Sequence, residues 1–124
     1  MKVLVVGGGG REHAIIKKIK ENGNVTEIFA TATNGGFKKD ATLVDIKPTA
    51  LDEVVAFAKE KAMDYVIVSP DDPLVLGLVD ALEEAGIPAF GPRKNAAIIE
   101  GSKVFSKDLM KKYAIPTASY EVFD

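Results

Sequence analysis

Four consecutive glycines, Gly7–Gly10, are followed at once by Arg11, Glu12 and His13. Backbone N–H groups unobstructed by Cβ atoms can close on an anion, and a helix N-terminus adds its positive end. A tight strand-to-helix turn needs one or two glycines, so a run of four points to an anion such as a phosphate. The dinucleotide spacing G-x-G-x-x-G fails in both registers, ending on Glu12 from Gly7 and on His13 from Gly8. No Gly-Lys-Ser/Thr follows, so the mononucleotide P-loop fails too. Arg11 falls at the positive end of a helix, where the dipole disfavours a cation. A bound anion removes that conflict. Glu12 is good first-turn helix chemistry, and His13 can either hydrogen-bond a ligand or cap a buried edge.

Two more segments carry candidate chemistry. Asn34-Gly35-Gly36 marks a loop. In Asp71-Asp72-Pro73, Asp72 reads as a helix N-cap with Pro73 in the first position. Asp71 is then left at the end of a strand, where a carboxylate can accept hydrogen bonds from sugar hydroxyls. Lys103, Lys107 and Lys111 recur at i, i+4. Such a stripe is ordinarily a solvated face, but Lys103 lies in a first helical turn, where a cation gains nothing from the dipole.

Alternating strands and helices position these residues. Lys2–Val6 is a continuous apolar run, suited to a parallel strand covered on both faces. A helix over about 11–22 follows, with Ile15, Ile16 and Ile19 at helical spacing. Further strands are expected at 25–30, 42–46, 64–69 and 87–90. A second helix starts after Pro48 with Thr49 as N-cap and Asp52 as the capping-box acid, its apolar stripe running through Leu51, Val54, Val55, Ala58 and Ala62. One helix runs from Asp72 to Gly86, a short one from Pro92 to about Glu100, and a last one is capped by Ser102. This order implies an α/β, Rossmann-like open parallel sheet of about five strands with helices on both faces. Leu4, Val6, Val55, Val66, Val68 and Leu78 are its expected core. Ligands of such sheets bind beyond the carboxyl ends of the strands, where Gly7–His13, Thr31–Gly36 and Ser69–Pro73 all arrive.

The chain has 124 residues, 47% of them hydrophobic, and a net charge of -2. That is single-domain length with enough apolar residue for one core. The charge gives no bias toward nucleic acid or an anionic membrane. With no cysteine and one histidine, disulfides, thiolate nucleophiles and multi-histidine zinc sites are excluded. The first apolar run is too short for a signal peptide or a membrane span, which makes the cytoplasm the default location.

Gly7-Gly8-Gly9-Gly10-Arg11-Glu12-His13-Ala14 closely resembles the G-x-G-G-R-E-H-A segment of the phosphoribosylamine–glycine ligases. Thr33-Asn34-Gly35-Gly36 resembles their P-G-N-x-G loop, and Pro70-Asp71-Asp72-Pro73-Leu74 their P-E-x-P-L segment. Phe90-Gly91-Pro92 and Glu100-Gly101-Ser102-Lys103-Val104-Phe105-Ser106-Lys107 resemble their F-G-P and E-G-S-K-x-F-x-K runs. The chain departs from the pattern at Thr31-Ala32-Thr33 and at Asp71, which stands where the family has glutamate. The resemblance implies a pre-ATP-grasp substrate-binding domain over 1–114. It makes 115–124 the start of a linker or strand into an ATP-grasp domain belonging to the rest of the same polypeptide. It implies a ligase that joins glycine to 5-phosphoribosylamine using ATP and magnesium or manganese, bound mainly by segments outside this chain. The implied roles are Gly8, Gly9, Gly10 and Arg11 at the substrate phosphate, Glu12, His13, Asn34 and Asp71 at the ribose, and Lys103 toward ATP. No catalytic residue and no metal ligand is expected in this stretch, which would be inactive alone. The rival readings are the N-terminal domain of another ATP-grasp ligase or carboxylase, and a stand-alone Rossmann-like nucleotide-binding module.

Overall fold

The apolar run near the amino terminus forms the central strand, β1 (Lys2–Val6), because both its faces are covered. Val3 and Val5 face one core, and Leu4 and Val6 the other. The computed structural model describes residues 1–121 and 123. Around β1 lie β2 (Glu27–Ala30), β3 (Thr42–Leu43), β4 (Tyr65–Val68) and β5 (Ala89–Phe90). They make a five-stranded sheet in the order β3-β2-β1-β4-β5, every pair parallel. The chain steps outward from β1 to β3, then crosses back to β4, so the order reverses between β1 and β4. That is the switch point at which open α/β sheets bind ligands.

One face is covered by α1 (Gly10–Ile19) and a 3-10 turn (Gly35–Lys39), which contribute Ile16 and Phe37 to the core. The other is covered by α2 (Leu51–Glu60), α3 (Asp71–Leu76) and α4 (Leu78–Glu84), through Val54, Ala58, Leu74, Leu78, Val79 and Leu82. Then come α5 (Lys94–Gly101) and α6 (Lys103–Lys112). Ser102 caps α6 as expected, its Oγ accepting the Phe105 N–H at 3.2 Å. Helix α6 buries none of its residues. Beyond it, Lys107 Nζ donates to Thr117 Oγ1 at 2.6 Å and to the Ala118 carbonyl at 3.2 Å.

Several local expectations are corrected. Thr49 and Asp72 are not caps: the N-caps are Ala50 and Pro70, with no side-chain cap bond. Helix α3 starts early enough to place both Asp71 and Asp72 in its first turn, where the dipole favours carboxylates. Pro73 then takes the third position, whose N–H would lack a helical acceptor anyway. The single helix expected to Gly86 is two, because Gly77 adopts φ +98° and its N–H closes α3 on the Pro73 and Leu74 carbonyls. That turn re-aims the chain so that Leu74, Leu78, Val79 and Leu82 all reach one core. Ala62 is not on the α2 stripe. It lies past the helix end at φ 51°, where its N–H bonds the Lys59 carbonyl and the Met63 N–H bonds the Ala58 carbonyl. Val54 takes the fully buried place expected of Val55, which is half-buried.

Candidate functional site

The register aligns the strand ends: Val5 pairs with Ala30 and with Ile67, and Val6 with Val68. Gly7, Thr31 and Ser69 therefore emerge on the same edge. Side chains knit the three exits together. The Gly7 N–H donates to Thr31 Oγ1 at 2.9 Å in a buried bond. Glu12 Oε2 accepts the Gly9 N–H at 2.7 Å, and Oε1 accepts the Ser69 hydroxyl at 2.7 Å. Glu12 is the third residue of α1 and reaches back to the N-cap N–H, one half of a capping box. It is only 4% exposed, so it braces the glycine loop to the end of β4 across the switch point.

This bracing bears unequally on the four glycines. A Cβ on Gly7, which has φ +115°, would meet Glu12 Cγ and Pro70 Cγ at 2.8 Å. One on Gly8 would meet Ala32 Cβ at 3.2 Å, and one on Gly9 would meet Glu12 Oε2 at 2.9 Å. At Gly10 nothing lies within 4 Å. Packing and backbone inside the protein thus demand glycine at Gly7, while Gly8 would need Ala32 to give by a few tenths of an ångström and Gly9 meets only the end of the Glu12 side chain. What remains open to an anion is the helix end. Among the described residues, the Gly10 and Arg11 N–H groups have no intramolecular acceptor. The Arg11 side chain is 61% exposed and held only by long contacts, Nη1 to the Ser69 carbonyl at 3.5 Å and Nε to Glu12 Oε1 at 3.6 Å.

The other candidates fall around this edge. Asn34 caps the 3-10 turn, its Oδ1 accepting the Gly36 N–H at 3.0 Å. Gly8 and Asn34 line a cavity of about 300 Å³ together with Thr31, Asp45 and Lys47. Asp71 and Lys103 line a separate one of about 540 Å³, with Thr49, Asp72 and Glu100. The link from β3 to α2 divides them, Pro48 facing the first and Thr49 the second. Asn34 and Asp71 are therefore not brought into one cavity. His13 Nε2 lies 2.9 Å from Asp40 Oδ2. Hydrogen bonds from His13 and then Lys20 hold the Asp40 carboxyl below the usual carboxylate range. A further cavity, about 640 Å³, lies between α6 and residues 114–121.

Asp40 and Lys47 join these groupings without having been singled out in the sequence, and Thr31 and Ser69 were marked there only as the first residues of segments reaching this edge, with no role of their own. Thr31 and Ser69 carry a signal, each being a small hydroxyl residue next after a buried strand. Asp40 and Lys47 carry none, since both look like surface charge. Among the described residues no group of three or more His, Cys, Asp or Glu is placed to hold a metal ion. No helix among them is long and apolar enough to cross a membrane.

Solved structures share the fold. A single-chain, multi-domain long-chain acyl-CoA carboxylase matches all of this chain with a TM-score of 0.72 at 15% identity, using 14% of its own length. The biotin carboxylase subunit of a pyruvate carboxylase matches 93% of this chain with a TM-score of 0.68 at 24% identity, using 28% of its length. Sequence relatives are much nearer. The phosphoribosylamine–glycine ligase of Listeria monocytogenes serotype 4b is 53% identical over 124 residues, 99% of this chain. That of Rhodopirellula baltica is 52% identical over 121 residues, 98% of this chain. The chain spans about 30% of the length of the Listeria relative and 28% of the Rhodopirellula one. The family model described as phosphoribosylglycinamide synthetase, N domain, matches residues 1–100, the stretch that carries the glycine loop, the Asn34 turn and Asp71, and the chain belongs to that family.

Proposed function

We propose that this chain is the part of an ATP-dependent carbon–nitrogen ligase that holds a sugar phosphate, the ligase joining glycine to 5-phosphoribosylamine in purine synthesis. The observation that carries this reading is the open N-terminus of α1. There the free N–H groups of Gly10 and Arg11 and a loosely held guanidinium sit together at the switch-point edge. Gly8, Gly9, Gly10 and Arg11 would take the phosphate. Asn34 and Asp71 would approach the ribose from their two cavities, so the sugar would have to extend along the edge past Pro48 and Thr49. Glu12 would serve by holding the loop in shape.

Lys103 is exposed at the first position of α6 and would lend a cation to ATP. Magnesium or manganese and most of ATP would be held by segments that the longer relatives possess. Residues 115–124 would begin the passage toward those segments, and the reaction would take place in the cytoplasm among small molecules, without nucleic acid or membrane. The carboxylase neighbours support the fold alone.

Titration calorimetry of Arg11→Ala with ribose 5-phosphate tests the reading. A charge-assisted hydrogen bond is typically worth ~1.5–3 kcal/mol, so affinity should fall roughly ten- to a hundredfold. Stability should change little, since the side chain is exposed and its contacts are long. Unchanged affinity would make Arg11 an ordinary surface residue.

A further inference from the structure

A side-chain cluster between the glycine loop and the Asn34 turn has no part in the phosphate reading. The His13 ring stacks on Phe37, centroids 4.7 Å apart and planes 20° apart. Its Nε2 lies 2.9 Å from Asp40 Oδ2. Asp40 Oδ1 accepts from Lys20 Nζ at 3.1 Å, and Lys20 also donates to the Lys39 carbonyl at 3.0 Å. A carboxylate only accepts, so the imidazole donates through Nε2–H. Phe37 is 1% exposed and sits in the core with Val3, Val5 and Ile16.

These contacts fix the turn that carries Asn34. The Phe37 N–H donates to the Asn34 carbonyl at 3.2 Å, and the Gly36 N–H to Asn34 Oδ1 at 3.0 Å. The turn is thus pinned at Phe37, beneath the histidine ring, and at Asp40, on the ring's edge. Among the described residues no backbone–backbone hydrogen bond joins Gly8–Arg11 to Thr33–Asp40. The His13 side chain, one turn along α1 from the loop, joins them instead. Imidazole suits this task because one side chain offers a flat face to Phe37 and an N–H to Asp40 at once. That N–H is engaged by Asp40 and one face is covered by Phe37, leaving the side chain 27% exposed.

We infer that His13 and Asp40 form a positioning pair that holds the Asn34 turn at a fixed offset from the glycine loop, so that both elements meet one sugar phosphate that neither residue touches. This rests on the sugar-phosphate reading above.

The test combines calorimetry and amide exchange on the 124-residue chain. His13→Phe keeps the stack and removes the N–H, Asp40→Ala removes the acceptor, and His13→Gln keeps an N–H toward Asp40. His13→Phe and Asp40→Ala should lose roughly tenfold in affinity for ribose 5-phosphate. Both should bind inorganic phosphate as the parent does, and His13→Gln should recover to within about threefold of it. In the ligand-free chain, His13→Phe should speed exchange of the Phe37 and Ala41 amides about tenfold and leave β1 unchanged. Equal loss for both ligands would make His13 a direct phosphate contact and overturn the proposal. Faster exchange with unchanged ribose 5-phosphate affinity would reduce the pair to a stability role. Unchanged exchange would remove the positioning role outright. If the parent binds neither ligand, the sugar-phosphate reading fails, and the exchange arm alone decides whether the pair holds the turn.

Discussion

Glu12 connects three segments through one carboxylate, and removing it should cost more than any exposed first-turn acid would. Each of its two short hydrogen bonds, from the Gly9 N–H and the Ser69 hydroxyl, is charge-assisted. Bonds of that class contribute ~1.5–3 kcal/mol. In Glu12→Ala, Ser69 can rotate its hydroxyl to another acceptor, and Gly9, being exposed, regains water. The sum therefore falls at the low end, about 2–4 kcal/mol, including packing lost against Gly7. Glu12→Gln behaves differently. Its amide oxygen can take the Gly9 N–H while its NH₂ donates to Ser69 Oγ, since a hydroxyl accepts as readily as it donates. Connectivity survives and only charge assistance goes, at a cost of about 1 kcal/mol. The Arg11 contact at 3.6 Å adds little, because the guanidinium is largely exposed.

Equilibrium urea unfolding measures both variants, and Ser69→Ala completes a double-mutant cycle with an expected coupling of about 1–2 kcal/mol. Two results would refute the reasoning. Glu12→Ala within about 0.5 kcal/mol of the parent would mean that the brace is not energetically coupled to the fold. A Gln variant as damaging as the Ala variant would mean that buried charge, rather than hydrogen-bond connectivity, is what the site needs.

Ala62→Gly should raise stability by about 0.5–1 kcal/mol in the same unfolding assay, because alanine at φ 51° pays a left-handed penalty that glycine avoids. Asp40→Asn should destabilise at neutral pH and matter progressively less in acid. The folded-state pKa of Asp40 lies below its ordinary 3.8, so its contribution is present above that value and lost as pH falls through the folded pKa. Melting curves of parent and variant across that range should therefore converge at low pH. Gly10→Ala should leave stability equal or higher by up to about 1 kcal/mol, since its Cβ meets open space at a helix start. On the sugar-phosphate reading it should nevertheless weaken ribose 5-phosphate binding in calorimetry, because the anion would come into that open space.

The periodic features of the chain were legible because they are local. An unalternating run such as Val3–Val6, cut off at once by glycines, suits a strand buried on both faces, and Ile15, Ile16 and Ile19 fall at helical spacing. The misses arose where tertiary packing overrode a local preference. Thr49 and Asp72 have good capping chemistry, yet Ala50 and Pro70 hold the cap positions. In α3 that shift puts Asp71 beside Asp72 in the first turn and moves it into the cavity with Lys103. Gly77 looks like a tolerable glycine within one long helix. Only the demand that Leu74 and Leu78 share a core makes it a break. The pairing of His13 with Asp40 spans 27 residues, and no spacing rule connects them.

The glycine run shows why a binding loop is harder to read than the fold that presents it. A glycine required because a neighbouring side chain leaves no room for Cβ is indistinguishable in sequence from one required because a ligand needs the same space. Gly7 is of the first kind, since Glu12 of α1 and Pro70 beyond β4 already occupy the volume; Gly8 packs closely on Ala32, and Gly9 on the end of the Glu12 side chain. On the sugar-phosphate reading these contacts would also serve the ligand indirectly. By packing the loop against Glu12 and Ala32 they fix the direction of α1, and with it the direction in which the Gly10 and Arg11 N–H groups point. On that reading, the Gly10 and Arg11 N–H groups would meet the anion, and the packed residues would set their direction. A substitution at Gly7 should accordingly weaken ribose 5-phosphate binding through the fold, whereas one at Gly10 should weaken it with the fold intact.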